Sequence, residues 1–378
     1  MNRSIQRFLL CASLLVPGMP AVAAPATLNV GFFGRTLPML AAQAQGFFAA
    51  EGLTVNFLQI ASSTQAFADL RDGRYDVALT SVDNVVNYRL NAGNALGAVL
   101  DVKAFFGVDY SNWLTLAGRT GFASASDLRG RTLAVDAPAS GFAFVAYEIL
   151  RRHGLEPGVD YRVVSIGGGL QRFQALMAGT VDGTLLNNGF EIRAGAAGRP
   201  LFETVFDVAD PYQGSVGAAM NGWLETHPDE AVRFIRAFYA ATRWSFDPAN
   251  HEAAVQLLMT QPGITRALAE ALYLAQLTPR RGVSPDLAIS RRGLLSVLTL
   301  RQRWGGFERP QDLRLLSKPG GGIYTLRHWR RAVEDFEAEE PEAGDDVADP
   351  AGGSAPRPGA GLDDATLVLE PVDGQPEM

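Results

Sequence analysis

The residues best suited to chemistry lie in six short runs of small polar residues and glycine, each followed by the apolar pattern of a helix. Three fall in the first part of the chain: Phe33-Gly34-Arg35-Thr36, Ser62-Ser63-Thr64 and Thr80-Ser81-Val82-Asp83-Asn84. Three fall in the second: Ala139-Ser140-Gly141-Phe142, Gly167-Gly168-Gly169 and Asn187-Asn188-Gly189-Phe190-Glu191. A helix N-terminus presents N–H groups without intrahelical partners and the positive end of the peptide dipoles, so such runs suit anionic groups. The same residue types also serve ordinary N-capping. The candidate ligand contacts are therefore Phe33, Arg35, Thr36, Ser62, Ser63, Thr64, Ser81, Asp83, Asn84, Ser140, Gly141, Phe142, Asn187, Asn188 and Glu191. Arg35 is the cation placed at a strand end, where it could pair with a carboxylate or sulfonate or simply be surface charge. Asp83 and Glu191 open helices, where a carboxylate complements the dipole or meets a ligand N–H. Phe32, Phe33, Trp113, Phe142, Phe144, Phe190 and Tyr212 lie in or beside these runs. Alternation turns about half of them toward the core and leaves the rest as faces for an apolar or aromatic ligand.

Catalysis finds little support. His153, His227, His251 and His328 are scattered, without metal-ligand spacing. No Ser/His/Asp or nucleophile-elbow pattern occurs, and Gly167-Gly168-Gly169 is not followed by the Gly-Lys-Ser/Thr of a phosphate loop. The single cysteine, Cys11, lies near the N-terminus. The expectation is no metal, no cofactor and no disulfide.

The elements that must position these runs alternate strand and helix, the mark of α/β layers. A block also occurs twice: residues 64–79 lie over 170–185, 106 positions apart, with Gln, Phe, Leu, Gly, Asp and Leu in register. That period is too long for a solenoid and implies two similar α/β lobes with a cleft between them. In open α/β sheets, ligands sit outside the C-terminal strand ends, which is where the six runs fall. The repeated Gly73/Asp76 and Gly179/Asp182 read as structural: glycine ends a helix in the left-handed region, and aspartate shapes the turn into the strand. Helices are expected over 38–50, 228–246, 249–259, 266–277 and 285–304, with Asn187-Asn188 capping one over 189–197.

The termini have different compositions. Arg3 and Arg7, an apolar run over 8–16 and Ala21-Val22-Ala23 fit a cleavable secretory signal, residues 1–23. From Glu334 to Met378 there are 14 acidic residues and one basic, Arg357. Within a formal net charge of −7, that leaves the rest at +6. The mildly basic body shows no Lys/Arg block of the kind that binds nucleic acid. Residues 337–378 are expected to be a disordered acidic tail.

Several segments carry a resemblance. Gly46-Phe47-Phe48-Ala49-Ala50-Glu51-Gly52-Leu53-Thr54-Val55, Leu70-Arg71-Asp72-Gly73-Arg74-Tyr75-Asp76-Val77-Ala78, Asp127-Leu128-Arg129-Gly130-Arg131-Thr132-Leu133-Ala134-Val135 and Ala178-Gly179-Thr180-Val181-Asp182-Gly183 occur in order. Together they resemble the NMT1/THI5-like periplasmic substrate-binding proteins of nitrate, sulfonate, taurine and thiamine-precursor importers. The resemblance implies a type II periplasmic binding fold, with two Rossmann-like lobes joined by a two-strand hinge. Lobe one would comprise 24–112 and 218–336, lobe two 118–212, and the crossovers 113–117 and 213–217. It further implies a monomer that binds a small-molecule solute and delivers it to the membrane permease of an ABC importer. Thr80-Ser81-Val82-Asp83-Asn84 matches no solute signature, and the acidic tail lies outside the family pattern. An enzyme of the same fold acting on a pyrimidine-like heterocycle, or an exported ligand sensor, remain as alternatives.

Overall fold

The strand Val77–Ser81 is buried at every position, as expected for a central strand covered on both faces. Around it the chain builds two five-stranded sheets. The structure is a computed structural model that describes residues 25–111 and 113–339. The expected signal, and the expected tail beyond Glu339, lie outside the described residues.

The first lobe is built from β1 (Ala26–Phe32), α1 (Leu37–Ala44), α2 (Phe47–Ala50), β2 (Leu53–Gln59), α3 (Ser63–Arg71), β3 (Val77–Ser81), α4 (Val82–Leu90) and β4 (Val102–Gly107). The second follows with β5 (Thr115–Gly118), β6 (Thr132–Val135), α5 (Gly141–Arg152), β7 (Arg162–Ser165), α6 (Gly169–Ala178), β8 (Gly183–Leu186), α7 (Phe190–Ala196) and β9 (Leu201–Thr204). The chain then returns as β10 (Ser215–Met220). It ends in α8 (Asn221–Thr226), α9 (Pro228–Phe246), α10 (His251–Met259), α11 (Arg266–Leu277), α12 (Arg291–Arg303), α13 (Leu313–Leu316) and α14 (Arg327–Glu339).

The sheet orders are β2-β1-β3-β10-β4 and β7-β6-β8-β5-β9. Each is parallel except where the strand made by the exchange between lobes, β10 or β5, runs antiparallel to its neighbours. The internal repeat is structural. The starts of β1 and β6, of α3 and α6, and of β3 and β8 are each 106 residues apart. Gly73 and Gly179 both take positive φ, 70° and 72°. Asp76 and Asp182 do the same work: each carboxylate accepts a backbone N–H of a parallel strand, from Asn29 at 2.8 Å and Thr132 at 3.0 Å.

The helices depart from expectation in a few places. The helix expected over 38–50 is two, because Gly46 sits at φ 76° and interrupts the ladder between α1 and α2. The helix expected from Pro285 starts only at Arg291, capped by the Ser290 hydroxyl, which accepts from Gly293 N at 3.0 Å. α14 carries helix through the expected tail boundary at 337. α9 packs on α1, α2 and β2 of the first lobe, whereas α12 packs on α4 of the first lobe and α5 of the second. The return helices were expected on the first lobe alone, but α12 joins both.

Candidate functional site

The C-terminal strand ends of both sheets face one cavity of about 930 Å³. Lobe one supplies Phe33, Arg35 and Thr36 after β1, Gln59 to Thr64 at the end of β2, and Thr80, Ser81 and Asn84 at the end of β3. Lobe two supplies Asp136, Ala137 and Phe142 after β6, Gly167 to Arg172 after β7, and Asn187 to Arg193 after β8. Trp113 and Ser215 line it from the crossover region, with Gln261, Leu272 and Gln276 from the α10–α11 hairpin.

The sequence-derived candidates Phe33, Arg35, Thr36, Ser62, Ser63, Thr64, Ser81, Asn84, Phe142, Asn187, Asn188 and Glu191 all lie on this wall; Asp83, Ser140 and Gly141 do not. Asp83 is 2% exposed and is held by a fork from Arg301, Nε to Oδ1 at 2.7 Å and Nη2 to Oδ2 at 2.6 Å. It also accepts from Gly141 N, the first residue of α5, at 2.8 Å. A Cβ at Gly141 would stand 2.3 Å from Asp83 Cγ, so only glycine permits this approach between lobes. Ser140 is turned to its own helix, accepting from Ala143 N at 3.1 Å and donating to Asp136 at 2.5 Å. Asp83 and Gly141 join the two lobes, and Ser140 caps the helix that carries Gly141.

Four of the candidate hydroxyls, on Thr36, Ser62, Ser81 and Ser140, cap α1, α3, α4 and α5 through Met39, Gln65, Asp83 and Ala143 N–H groups. The two other helices opening on the cavity are uncapped. α6 has Gly168 and α7 has Gly189 at the cap position, with no side-chain hydrogen bond. Asn187 and Asn188, expected to cap α7, do not; Gly189 intervenes at φ 86°. Among the aromatics, Phe33, Trp113, Phe142 and Phe190 reach the cavity, while Phe32, Phe144 and Tyr212 are core.

The residue that sequence reasoning missed is Arg172. It lines the cavity yet is 1% exposed. Its Nε donates to Gly167 O at 3.1 Å and its Nη1 to Leu185 O, but no described carboxylate pairs with it. Burial pulls its pKa below the ordinary arginine value, partly offset by the charge of Asp136. Its counterpart in the repeat, Ala66, is fully buried, so a charge in place of a core alanine was the available signal. Glu191 is the other buried ionisable group on the wall. Burial pushes its carboxyl up to about 8, against the opposing backbone hydrogen bonds, including Gly189 N at 3.0 Å. Beside it, Arg193 lies over the Phe173 and Phe190 rings at 5.1 and 5.6 Å. The described wall thus holds three arginines, Arg35, Arg172 and Arg193, and two carboxyls, Asp136 and Glu191, the second driven toward its neutral form by burial.

This two-lobed architecture is shared with solved periplasmic binding proteins. The nitrate-binding protein NrtA from Synechocystis PCC 6803 matches with TM-score 0.67 and 15% identity, over 83% of this chain and 89% of that one. The aliphatic sulphonate binding protein SsuA from Escherichia coli matches with TM-score 0.60 and 15% identity, over 80% and 93%. A DszB variant in complex with biphenyl-2-sulfinic acid has the same fold, with TM-score 0.57 and 15% identity over 82% and 99%. The expected type II periplasmic binding fold is thus the observed one. The family model described as NMT1/THI5 like matches residues 35–251, more than half of the chain, and the chain belongs to that family. Among curated proteins, the bicarbonate transport ATP-binding protein CmpC of Synechocystis is 25% identical over 235 residues, 59% of this chain. The match covers 35% of CmpC, so this chain spans about a third of that relative's length.

Proposed function

We propose that this chain is the periplasmic solute-binding component of an ABC-type importer. On this reading it takes a small organic anion into the cavity between its lobes and presents the closed form to a membrane permease. The observation that carries the reading is the cavity itself, walled by the strand ends of both sheets, with more arginines than carboxyls among its described lining residues and the uncapped N-terminus of α6. Its volume, about 930 Å³, suits an organic solute. A bare nitrate or bicarbonate ion, comparable to one or two waters at about 30 Å³ each, would leave most of it to solvent. Lobes of 24–112 plus 218–336 and of 118–212 would move about the crossovers at 113–117 and 213–217, and binding would bias the open–closed equilibrium. Binding rather than catalysis is favoured by the wall's chemistry: its described carboxyls are Asp136, tied to Ser140, and Glu191, tied to Gly189 N.

A thermal-shift panel on the purified full chain tests this reading. It would hold alkyl and aryl carboxylates and sulfonates, nitrate, pyrimidines and amines. A ligand at 100 times its Kd adds about 2.7 kcal/mol of stability, or several degrees of Tm. The expectation is a shift confined to organic acids. A shift only with pyrimidines or amines, or with none of the panel, overturns it.

A further inference from the structure

We propose that the solute's anionic group sits on Arg172 and the uncapped first turn of α6, and that the solute class is a singly charged oxyanion, carboxylate or sulfonate, on an apolar body. The inference deepens the uptake reading and rests on it. Two independent observations meet at this point. The first is the helix: α6 has ten residues, and its cap residue Gly168 offers no side-chain acceptor, so the N–H groups at its start are free for an external anion. Gly167, Gly168 and Gly169 all line the cavity.

The second is the guanidinium. Arg172 is 99% removed from solvent, and two of its five N–H groups go to the carbonyls of Gly167 and Leu185. Among the described residues Nη2 makes no hydrogen bond and no carboxylate bonds to the guanidinium; Asp136 acts on it through its charge alone. A buried charge without a hydrogen-bonded counter-ion is expensive, and the fold does not require this one, since the equivalent position in the first lobe is Ala66. A ligand oxyanion in the cavity would supply a counter-charge in direct contact and accept the unspent donors in the planar fork arginine favours.

The surroundings specify the rest of the solute. Phe142 lies 5.9 Å from the guanidinium and faces the cavity. Leu40, Ile60, Ile264 and Leu272 supply further apolar wall. Arg172 is the one buried cation among the described wall residues, and the apolar side chains of the wall fit an organic monoanion better than a bare inorganic ion.

The test is isothermal titration of the full chain with benzoate, hexanoate and benzenesulfonate, each against its neutral counterpart: benzamide, hexanamide and benzenesulfonamide. The wild type should bind at least one acid 100-fold or more tighter than its amide. Arg172→Met should weaken that acid at least 100-fold and bring it level with the amide, with Arg172→Lys intermediate. Gly168→Asp is the second arm, because it should not unfold the chain. An aspartate there caps α6, and its Cβ meets the flexible end of Gln171 at 2.9 Å and the Ala61 carbonyl at an ordinary 3.5 Å. It should keep or raise Tm while lowering affinity for the acid at least 30-fold. Affinity within threefold of wild type in Arg172→Met or Arg172→Lys, or in folded Gly168→Asp, overturns the seat and leaves the uptake reading standing. Wild type preferring the neutral amides overturns the seat alone. Wild type binding none of the six at millimolar concentration overturns the seat and counts against the uptake reading too.

Discussion

The pair Asp83–Arg301 gives the sharpest stability prediction. Both side chains are nearly sealed, 2% and 1% exposed. Arg301 spends its donors on both Asp83 oxygens, on Gly306 O at 2.8 Å and on Asn87 at 3.1 Å. Replacing it by methionine leaves the Asp83 carboxylate buried with Gly141 N–H and little else. Removing one partner of a buried pair costs about 3–5 kcal/mol, about a fifth or more of a typical domain's stability of about 5–15 kcal/mol. Most of that cost belongs to the orphaned charge rather than to the lost contact. The neutral double variant Asp83→Asn/Arg301→Gln should therefore recover about 2 kcal/mol or more relative to the sum of the single changes Asp83→Asn and Arg301→Gln. Urea denaturation of wild type, the two single variants and the double gives the cycle, together with Arg301→Met. Single losses under about 1 kcal/mol, or strict additivity, would refute the reasoning that this pair is a tightly coupled, desolvated joint between α4 and α12.

Two further predictions concern pH. Glu191 has a native pKa of about 8 against 4.5 unfolded, so the native state binds the extra proton between those values. Its contribution is fully present below pH 4.5 and is lost as pH rises through 8, on the order of 5 kcal/mol at most. Glu191→Gln should flatten the Tm–pH profile between about pH 4.5 and 8, and an unchanged slope there would show that Glu191 ionises freely in the native state. Glu148 is the opposite case. Burial alone would raise it, but the Arg151 hydrogen bond and the charges of Arg303 and Arg151 outweigh that and hold it below the usual glutamate range. Its contribution is present above the unfolded value of 4.5 and is lost as pH falls through the native one. Because Arg303 and Trp304 reach Glu148 from the end of α12, Glu148→Gln should cost about 1–3 kcal/mol at pH 7 and soften the acid limb, read by urea titration at pH 4 and pH 7.

What could be read from the chain alone was local or periodic. The repeat located α3, β3, α6 and β8, and the strand-end rule located the wall, because both depend on residues a few positions apart. The joint between lobes was not readable. Asp83 meets Arg301 across 218 positions and Gly141 across 58, and nothing local in either segment announces the partner. Asp83 therefore looked like a ligand contact. The α12 start was misplaced for a related reason: Pro285 is a good first helical residue by type, yet the chain stays non-helical to Ser290, where Gln213 Oε1 accepts from the Ser290 backbone N–H at 2.7 Å.

The two lobes also show how one pattern serves two ends. Asp83 and Glu191 are each the second residue of the helix that follows a central strand, α4 after β3 and α7 after β8. Asp83 found an arginine on α12 and became part of the frame. Glu191 found only backbone N–H, remained on the cavity wall and is driven toward its neutral form. Arg172 and Ala66 diverge in the same direction: the first lobe keeps the small apolar residue that packing asks for, and the second carries a charge that packing does not need. Where repeated positions agree, at Phe67 and Phe173, Gly73 and Gly179, or Asp76 and Asp182, the residue is explained by the sheet and its helix. Where they disagree toward greater cost, stability does not explain the choice. In a protein whose cavity is shared by both lobes, those costs collect on the second. On the proposed uptake reading, lobe two should therefore discriminate among solutes, and lobe one should mainly close over them.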